Sequence, residues 1–157
     1  MKRFSWKYMA GITDGEGCID MQGSFDKRRQ QYYCRPRFRM TLSGDFGKEM
    51  IDNFILNFGG CFDCHKRSFE NPNWLPAYTW ILSGGTPLRA FLQNIVNHLE
   101  IKKEQARFAI WWLDHVGGKK QGTDEVRRFG TDELKAMKRD PHRLSERATQ
   151  KISELMR

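Results

Sequence analysis

Apolar residues along this chain repeat with a helical period, then alternate, and go through that change twice. Phe4, Tyr8 and Ile12 fall at spacing four, with Trp6, Met9 and Thr13 on the adjoining face, which predicts a helix up to Asp14. Its third strip holds Lys7, Ala10, Gly11 and Asp14, and the middle of that strip is nearly bare backbone. Alternation follows: Cys18, Asp20, Gln22, Ser24 and Asp26 point one way, and Ile19, Met21, Gly23 and Phe25 the other, which predicts a half-buried strand. A polar turn with Arg28 and Arg29 leads to a second alternating run. There Arg35, Arg37, Arg39, Thr41 and Ser43 oppose Phe38, Met40 and Leu42, and Pro36 implies a ragged start or a free edge.

The cycle then repeats. Met50, Ile51, Phe54, Ile55 and Phe58 form a helical stripe that ends at Gly59-Gly60. A second hairpin is expected with Phe62 and Cys64 inward and Asp63, His65 and Arg67 outward, returning through Asn71-Pro72-Asn73 to a strand at Ala77 to Ser83. Thr86-Pro87 opens a helix carrying Leu88, Phe91, Leu92, Ile95 and Leu99, and another spans Lys102 to Val116. The order predicts an α+β fold: a four-stranded antiparallel sheet with helices on one face and a polar, basic face opposite. From Gly117 the text becomes a basic Gly/Lys linker, followed by short helices predicted at Asp132 to Arg139 and Leu144 to Met156. The chain therefore divides into a core, residues 1–116, and an extension, 117–157. Either contact with a ligand or packing back on the core fits the extension.

Charge narrows the choice of partner. The chain of 157 residues carries a formal charge of +8, and 13% of it is aromatic, which suits an anionic polymer better than an acidic partner. Residues 117–157 alone hold 11 Lys and Arg against 7 Asp and Glu. Arg35, Arg37 and Arg39 on one face of one strand repel one another unless an anion lies across them, and the guanidinium fork fits phosphates or guanine edges. No apolar run reaches the roughly 18 residues of a membrane span, and Lys2 and Arg3 precede no signal-like apolar stretch. An intracellular protein is expected, with its cysteines reduced. Cys61-Phe62-Asp63-Cys64-His65 has the spacing of a haem-attachment site, but two cysteines on opposite strand faces in an unexported chain make haem the wrong expectation.

The first helix runs into Gly15-Glu16-Gly17, a carboxylate at the partly negative end of a helix, where a cation is needed to relieve it. A capped helix with a solvated Glu is the plain alternative. The stretch Met9 to Gly17 resembles the signature of the LAGLIDADG homing endonucleases: Ala10, Gly11, Asp14 and Gly17 agree letter for letter, and Glu16 fills the last acidic position. Met9 and Thr13 depart mildly. Lys102-Lys103-Glu104-Gln105-Ala106 also resembles the family's K-x-x-Q-A start of its last core helix, and the resemblance extends over about residues 4 to 116. It implies the α-β-β-α-β-β-α fold with a saddle-shaped sheet over double-stranded DNA, and for Lys102 a place near the scissile phosphates. Arg28, Arg29, Asp63, His65 and Arg67 extend the expected DNA surface beyond the central strands.

One carboxylate does not make a metal-dependent nuclease. Packing the strip of Lys7, Ala10, Gly11 and Asp14 against its copy in a homodimer brings two Glu16 side chains together. With the Gly15 carbonyl they form a hard-oxygen site suited to Mg²⁺ or Mn²⁺, whose tasks are to activate water, hold the scissile phosphate and stabilise the leaving 3′-oxygen. The single motif implies a staggered cut in a long, nearly palindromic site and a role in intron homing. Lys48 is the only basic residue where relatives often carry a Gln and a base after the second strand. The competing reading is a non-cleaving binder on the same scaffold, an RNA maturase or a DNA-binding regulator. A plain RNA-binding domain would need stacking aromatics on the open face, whereas Phe25, Phe38 and Phe62 read inward. If the arginine row lies on DNA, Arg37→Ala weakens binding and lowers its salt slope by about 1; titrations at several salt concentrations that match the wild type would remove the row from the interface.

Overall fold

A computed structural model describes residues 3–28, 30–65, 73–116 and 123–157. Arg29, Arg67, most of the loop before the last strand and the Gly/Lys linker lie outside the described residues. Helix α1 is Trp6–Glu16, opened by Ser5, whose side chain accepts the Tyr8 amide at 3.2 Å. Strands β1, Gly17–Asp26, and β2, Gln31–Ser43, follow, then α2, Gly44–Phe58. Strand β3, Cys61–Cys64, and β4, Ala77–Ser83, lead to α3, Gly85–Ile95, a short 3₁₀ turn at Val96–His98, and α4, Lys103–His115. The extension supplies α5, Asp124–Arg139, and α6, Ser145–Leu155.

The sheet is antiparallel throughout, in the order β1-β2-β4-β3. Register explains Pro36: among the described residues β4 reaches only as far as Arg37, so from Pro36 outward the strand paired with β2 is β1. Ile19, Phe38, Met40, Trp80 and Leu82 are buried on the sheet's apolar face. Trp80 centres the core, its ring 5.3 Å from those of Phe38, Phe54 and Phe91, with Nε1 donating to the Gly59 carbonyl at 2.9 Å.

Three side chains expected inside, Phe25, Phe62 and Cys64, are not enclosed. Phe25 is 53% exposed because β1 is an edge strand and its far end overhangs the core. Phe62 is 44% exposed because β3 forms the other edge and is four residues long, all of them exposed. The helix carrying Leu88 stops at Ile95, and Leu99 is buried from extended backbone beyond it.

The extension packs back on the core. Helix α5 starts at Asp124 rather than Asp132, capped by Thr123, which accepts the Val126 amide. Its first turns bury Val126, Arg127 and Gly130, and two of those three are not apolar, which hides the stripe from a hydropathy reading. Glu104 of α4 accepts both the amide and the hydroxyl of Ser145 at 2.8 Å, and Cys34 lies 3.2 Å from the Thr131 hydroxyl. Val126, Leu134, Met137, Ala148 and Ile152 join the core of the sheet and helices. Closest of all is Gly130, where an added Cβ would stand 2.0 Å from Cζ3 of the buried Trp112 ring. Gly130→Ala is accordingly expected to destabilise the protein by roughly 1–3 kcal/mol, the cost of overpacking a filled core. A urea midpoint equal to the wild type's would mean that α5 is not docked on Trp112.

Candidate active site and nucleic-acid interface

Helix α1 passes into β1 without an intervening residue. Gly17 caps the helix through its amide to the Thr13 carbonyl, yet its backbone is extended, with φ −76° and ψ 152°. A left-handed turn is therefore not the reason for glycine here. A Cβ at Gly17 would lie 2.7 Å from the Thr13 carbonyl oxygen and 2.8 Å from the Phe38 ring, so the junction has room only for hydrogen.

Just before the junction, Asp14 turns its carboxylate to its own chain. It accepts the amides of Glu100 at 2.8 Å and Lys102 at 2.9 Å, and the Lys102 ammonium donates in turn to the Asp14 carbonyl. The cation required at this helix end is therefore present as Lys102. Burial pushes the Lys102 ammonium down, Asp14 and Glu16 offset part of that fall, and Lys138 adds to it. Lys138, from the last turn of α5, sits 3.1 Å from the Cys18 sulfur. Nothing in the one-dimensional pattern marks Lys138, which arrives here only because α5 packs across β1.

Glu16 is exposed at the last position of α1. Among the described residues no three His, Cys, Asp or Glu side chains gather as a metal cage. Both Asp14 oxygens are engaged, so one chain offers Glu16 and the Gly15 carbonyl, in the turn whose carbonyls lack a helical partner. Those are hard donors, and they fit half of a divalent-cation site. The exposed strip beside them is narrower than the spacing suggests. Lys7, Gly11 and Gly15 are exposed, and a Cβ at either glycine would meet nothing within 4 Å. Ala10, expected on that strip, is fully buried with Met9 and Thr13 on the face turned to the helix's own core, and Asp14 is held by residues 100 and 102. Spacing alone does not tell which side of a small residue meets its own subunit. Lys48 binds Asp52 and lies over Phe62 of β3, at the opposite edge of the sheet from Glu16.

The polar face of the sheet begins at that same corner. Register places Asp20 opposite Arg37, Gln22 opposite Arg35, Ser24 opposite Tyr33 and Asp26 opposite Gln31. The anion across the arginine row is Asp20 itself, which accepts Arg37 Nε at 2.7 Å and the Arg39 guanidinium on its other oxygen. Burial pushes the Asp20 carboxyl up, but the hydrogen bonds and charges of Arg37 and Arg39 outweigh it and hold the carboxyl below its usual range. Arg35 is exposed, stacked 5.9 Å over Tyr33, and Gln22 and Thr41 are exposed as well. Across β4, Thr41 and Thr79 hydroxyls are 2.7 Å apart, and Thr79 is 2.6 Å from Nε2 of His65. Asp63 is exposed opposite Thr79, and Arg28 is exposed in the hairpin turn. Cys61 and Cys64 pair with Ile81 and Tyr78 on opposite faces of β3, and all four cysteines are free.

No family model matches the sequence, and no curated protein matches it. The structure, however, is similar to solved ones. The homing endonuclease I-CvuI, solved with its target in the presence of calcium, shares 18% identity over 96% of this chain and 93% of its own, with a TM-score of 0.67. An archaeal intron-encoded homing endonuclease complexed with DNA shares 14% identity over 96% of this chain and 95% of its own, with a TM-score of 0.57. The LAGLIDADG meganuclease I-CpaMI, bound to uncleaved DNA, superposes at a TM-score of 0.66 and 16% identity, but this chain spans 52% of it. The fold is that of the LAGLIDADG homing endonucleases. Within it, this chain matches I-CvuI along nearly the whole of both chains.

Because the Asp20 carboxyl is held low, its pairs with Arg37 and Arg39 stabilise the fold at neutral pH, and that contribution is lost only as the pH falls below about 4. Asp20→Asn is expected to cost about 1 kcal/mol at pH 7, allowing for the solvent that reaches Arg39, with the gap narrowing as the pH falls below about 4. Denaturation midpoints for both proteins across that range check it. A constant gap would show that the pairing is not what Asp20 contributes.

Proposed function

We propose that this chain is a site-specific, metal-dependent homing endonuclease that acts as a homodimer on duplex DNA. The observation that carries the reading is the exposed Glu16 at the end of α1, beside Lys102 and at the corner where the polar sheet face begins. Lys7, Gly11 and Gly15 give α1 a bare strip on which a second copy can approach, bringing two Glu16 side chains together across a two-fold axis. Structural neighbours solved with DNA, among them I-CvuI with its DNA not cleaved in the presence of magnesium, support a duplex as the ligand.

In this reading the polar face binds and the corner cuts. Arg35, Arg37, Arg39, Gln22 and Thr41 lie along one groove of the duplex, with Arg28, Asp63 and His65 toward the ends of the strands. Glu16 and the Gly15 carbonyl, one set from each subunit, would hold Mg²⁺ or a similar cation. Such an ion, when bound, supplies Lewis acidity toward the phosphodiester and a more acidic water. Lys102 is anchored through its own amide and its ammonium to Asp14, so its charge is fixed beside the scissile phosphate. Burial, by making that ammonium easier to deprotonate, also fits it to exchange a proton with the attacking water. Lys138 adds a second positive charge at the same corner. A staggered double-strand cut in a nearly palindromic site follows from the two-fold arrangement.

The test is cleavage of a duplex carrying the uninterrupted insertion site, with Mg²⁺ and with EDTA. Cleavage is expected only with the metal, and Glu16→Gln is expected to lower it by at least about a hundredfold while binding persists. Tight, salt-sensitive binding with no cut by the wild type would favour the non-cleaving binder, and equal cleavage by the variant would remove Glu16 from the chemistry.

A further inference from the structure

The polar face of the sheet contains a three-membered hydrogen-bonded row that starts at an edge and ends at an exposed hydroxyl. Thr41 of β2 and Thr79 of β4 are register partners, their hydroxyl oxygens 2.7 Å apart. On its other side Thr79 lies 2.6 Å from Nε2 of His65, whose amide is fixed to the Ala77 carbonyl at 3.0 Å. Thr41 and His65 are exposed, whereas Thr79 is 5% exposed.

Each hydroxyl has one hydrogen to give. Thr79 is buried, so leaving its hydrogen unused carries the full cost of an unsatisfied donor, and the row must absorb it. When Nε2 bears no hydrogen it accepts from Thr79. Thr79 must then accept from Thr41, and Thr41 presents only lone pairs outward. When Nε2 bears a hydrogen it donates to Thr79, Thr79 donates to Thr41, and the hydrogen of Thr41 turns outward. Base edges in the major groove differ in this same respect: adenine N6 and cytosine N4 donate, while guanine O6 and N7 and thymine O4 accept.

We infer that Thr79 and His65 determine the base preference of Thr41 by fixing the direction of its hydroxyl, so that a buried side chain that cannot reach DNA contributes to sequence reading. The inference rests on the polar face being the duplex-binding surface. His65 then does more than a contact residue would, because its tautomer decides whether the neighbouring strand offers a donor or an acceptor. With Nε2 bare of hydrogen, both hydroxyls are also committed before DNA arrives, which lowers the entropic cost of the contact.

Selection of the full-length protein against a duplex library randomised along the site separates the possibilities. Thr41→Val marks the base pair that Thr41 reads. Thr79→Val is expected to relax the preference at that same base pair by about fivefold, one hydrogen bond's discrimination, and to leave other positions alone. Thr79→Ser, which keeps the hydroxyl, retains the wild-type profile. Thr79→Ala also lacks the hydroxyl and repeats the test if valine disturbs the strand. A wild-type profile in both hydroxyl-free variants, a change confined to some other base pair, or equal loss in Thr79→Ser would overturn the relay while leaving DNA recognition intact. Failure of the wild type to enrich any sequence would instead defeat the reading of the face as a DNA surface, and the relay with it.

Discussion

Asp14 accepts the backbone amides of Glu100 and Lys102, and the arrangement of the corner depends on that clasp. The amides belong to the turn that leads into α4, Lys102 being its N-cap, so the carboxylate ties the approach to that helix to the end of α1. The same contact delivers the Lys102 side chain to the carbonyl end of α1, where its charge opposes the helix dipole. The end of α1 and the turn before α4, far apart in sequence, are thereby fixed together. Glu16, two residues on, stands exposed beside a carboxylate that is fully engaged and a positive charge already supplied.

Charge on the sheet is handled in a related way. A row of three arginines on one strand would repel itself in the free protein, and Asp20 on the adjacent strand absorbs two of them. The guanidinium groups of Arg37 and Arg39 are half-buried and held in defined directions, whereas Arg35 stands exposed beside Tyr33. The free face is thus less basic than the chain's charge of +8 suggests, and it holds its arginines in place before any ligand arrives. For the duplex proposed as ligand, less ordering of side chains would then be needed, at the cost of a carboxylate near the phosphates.

The fold was legible because its signals are local. Alternation at Cys18 to Asp26 and Arg35 to Ser43, the Gly59-Gly60 break and the run Ala77 to Ser83 each mark an element by period or turn chemistry. The motif placed Glu16 and Lys102 as candidates, and the structure brings both to the end of α1. What escaped was whatever depends on neighbours distant in sequence. Ala10 reads as a seam residue, but its own core encloses it; the arginine row reads as uncompensated, but Asp20 lies opposite Arg37 in the register. Helix α5 buries an arginine and a glycine, so its first half carries no apolar stripe, and the arrival of Lys138 beside Cys18 could not be anticipated from either residue.

The direct passage from α1 into β1 has a consequence for how this chain tolerates change. With every residue from Trp6 to Asp26 assigned to one element or the other, and the joint closed to a single added carbon, the segment has no slack in length. Inserting one residue there would rotate the strand's two faces relative to the helix, turning polar positions inward and apolar ones outward along its whole length. Length variation is therefore pushed to the hairpin turn at residues 27–30 and to the stretch between β3 and β4, where the elements on either side keep their register. The part of the chain that carries the carboxylate is in this sense a fixed ruler, and the ends of the saddle are where its span can be adjusted.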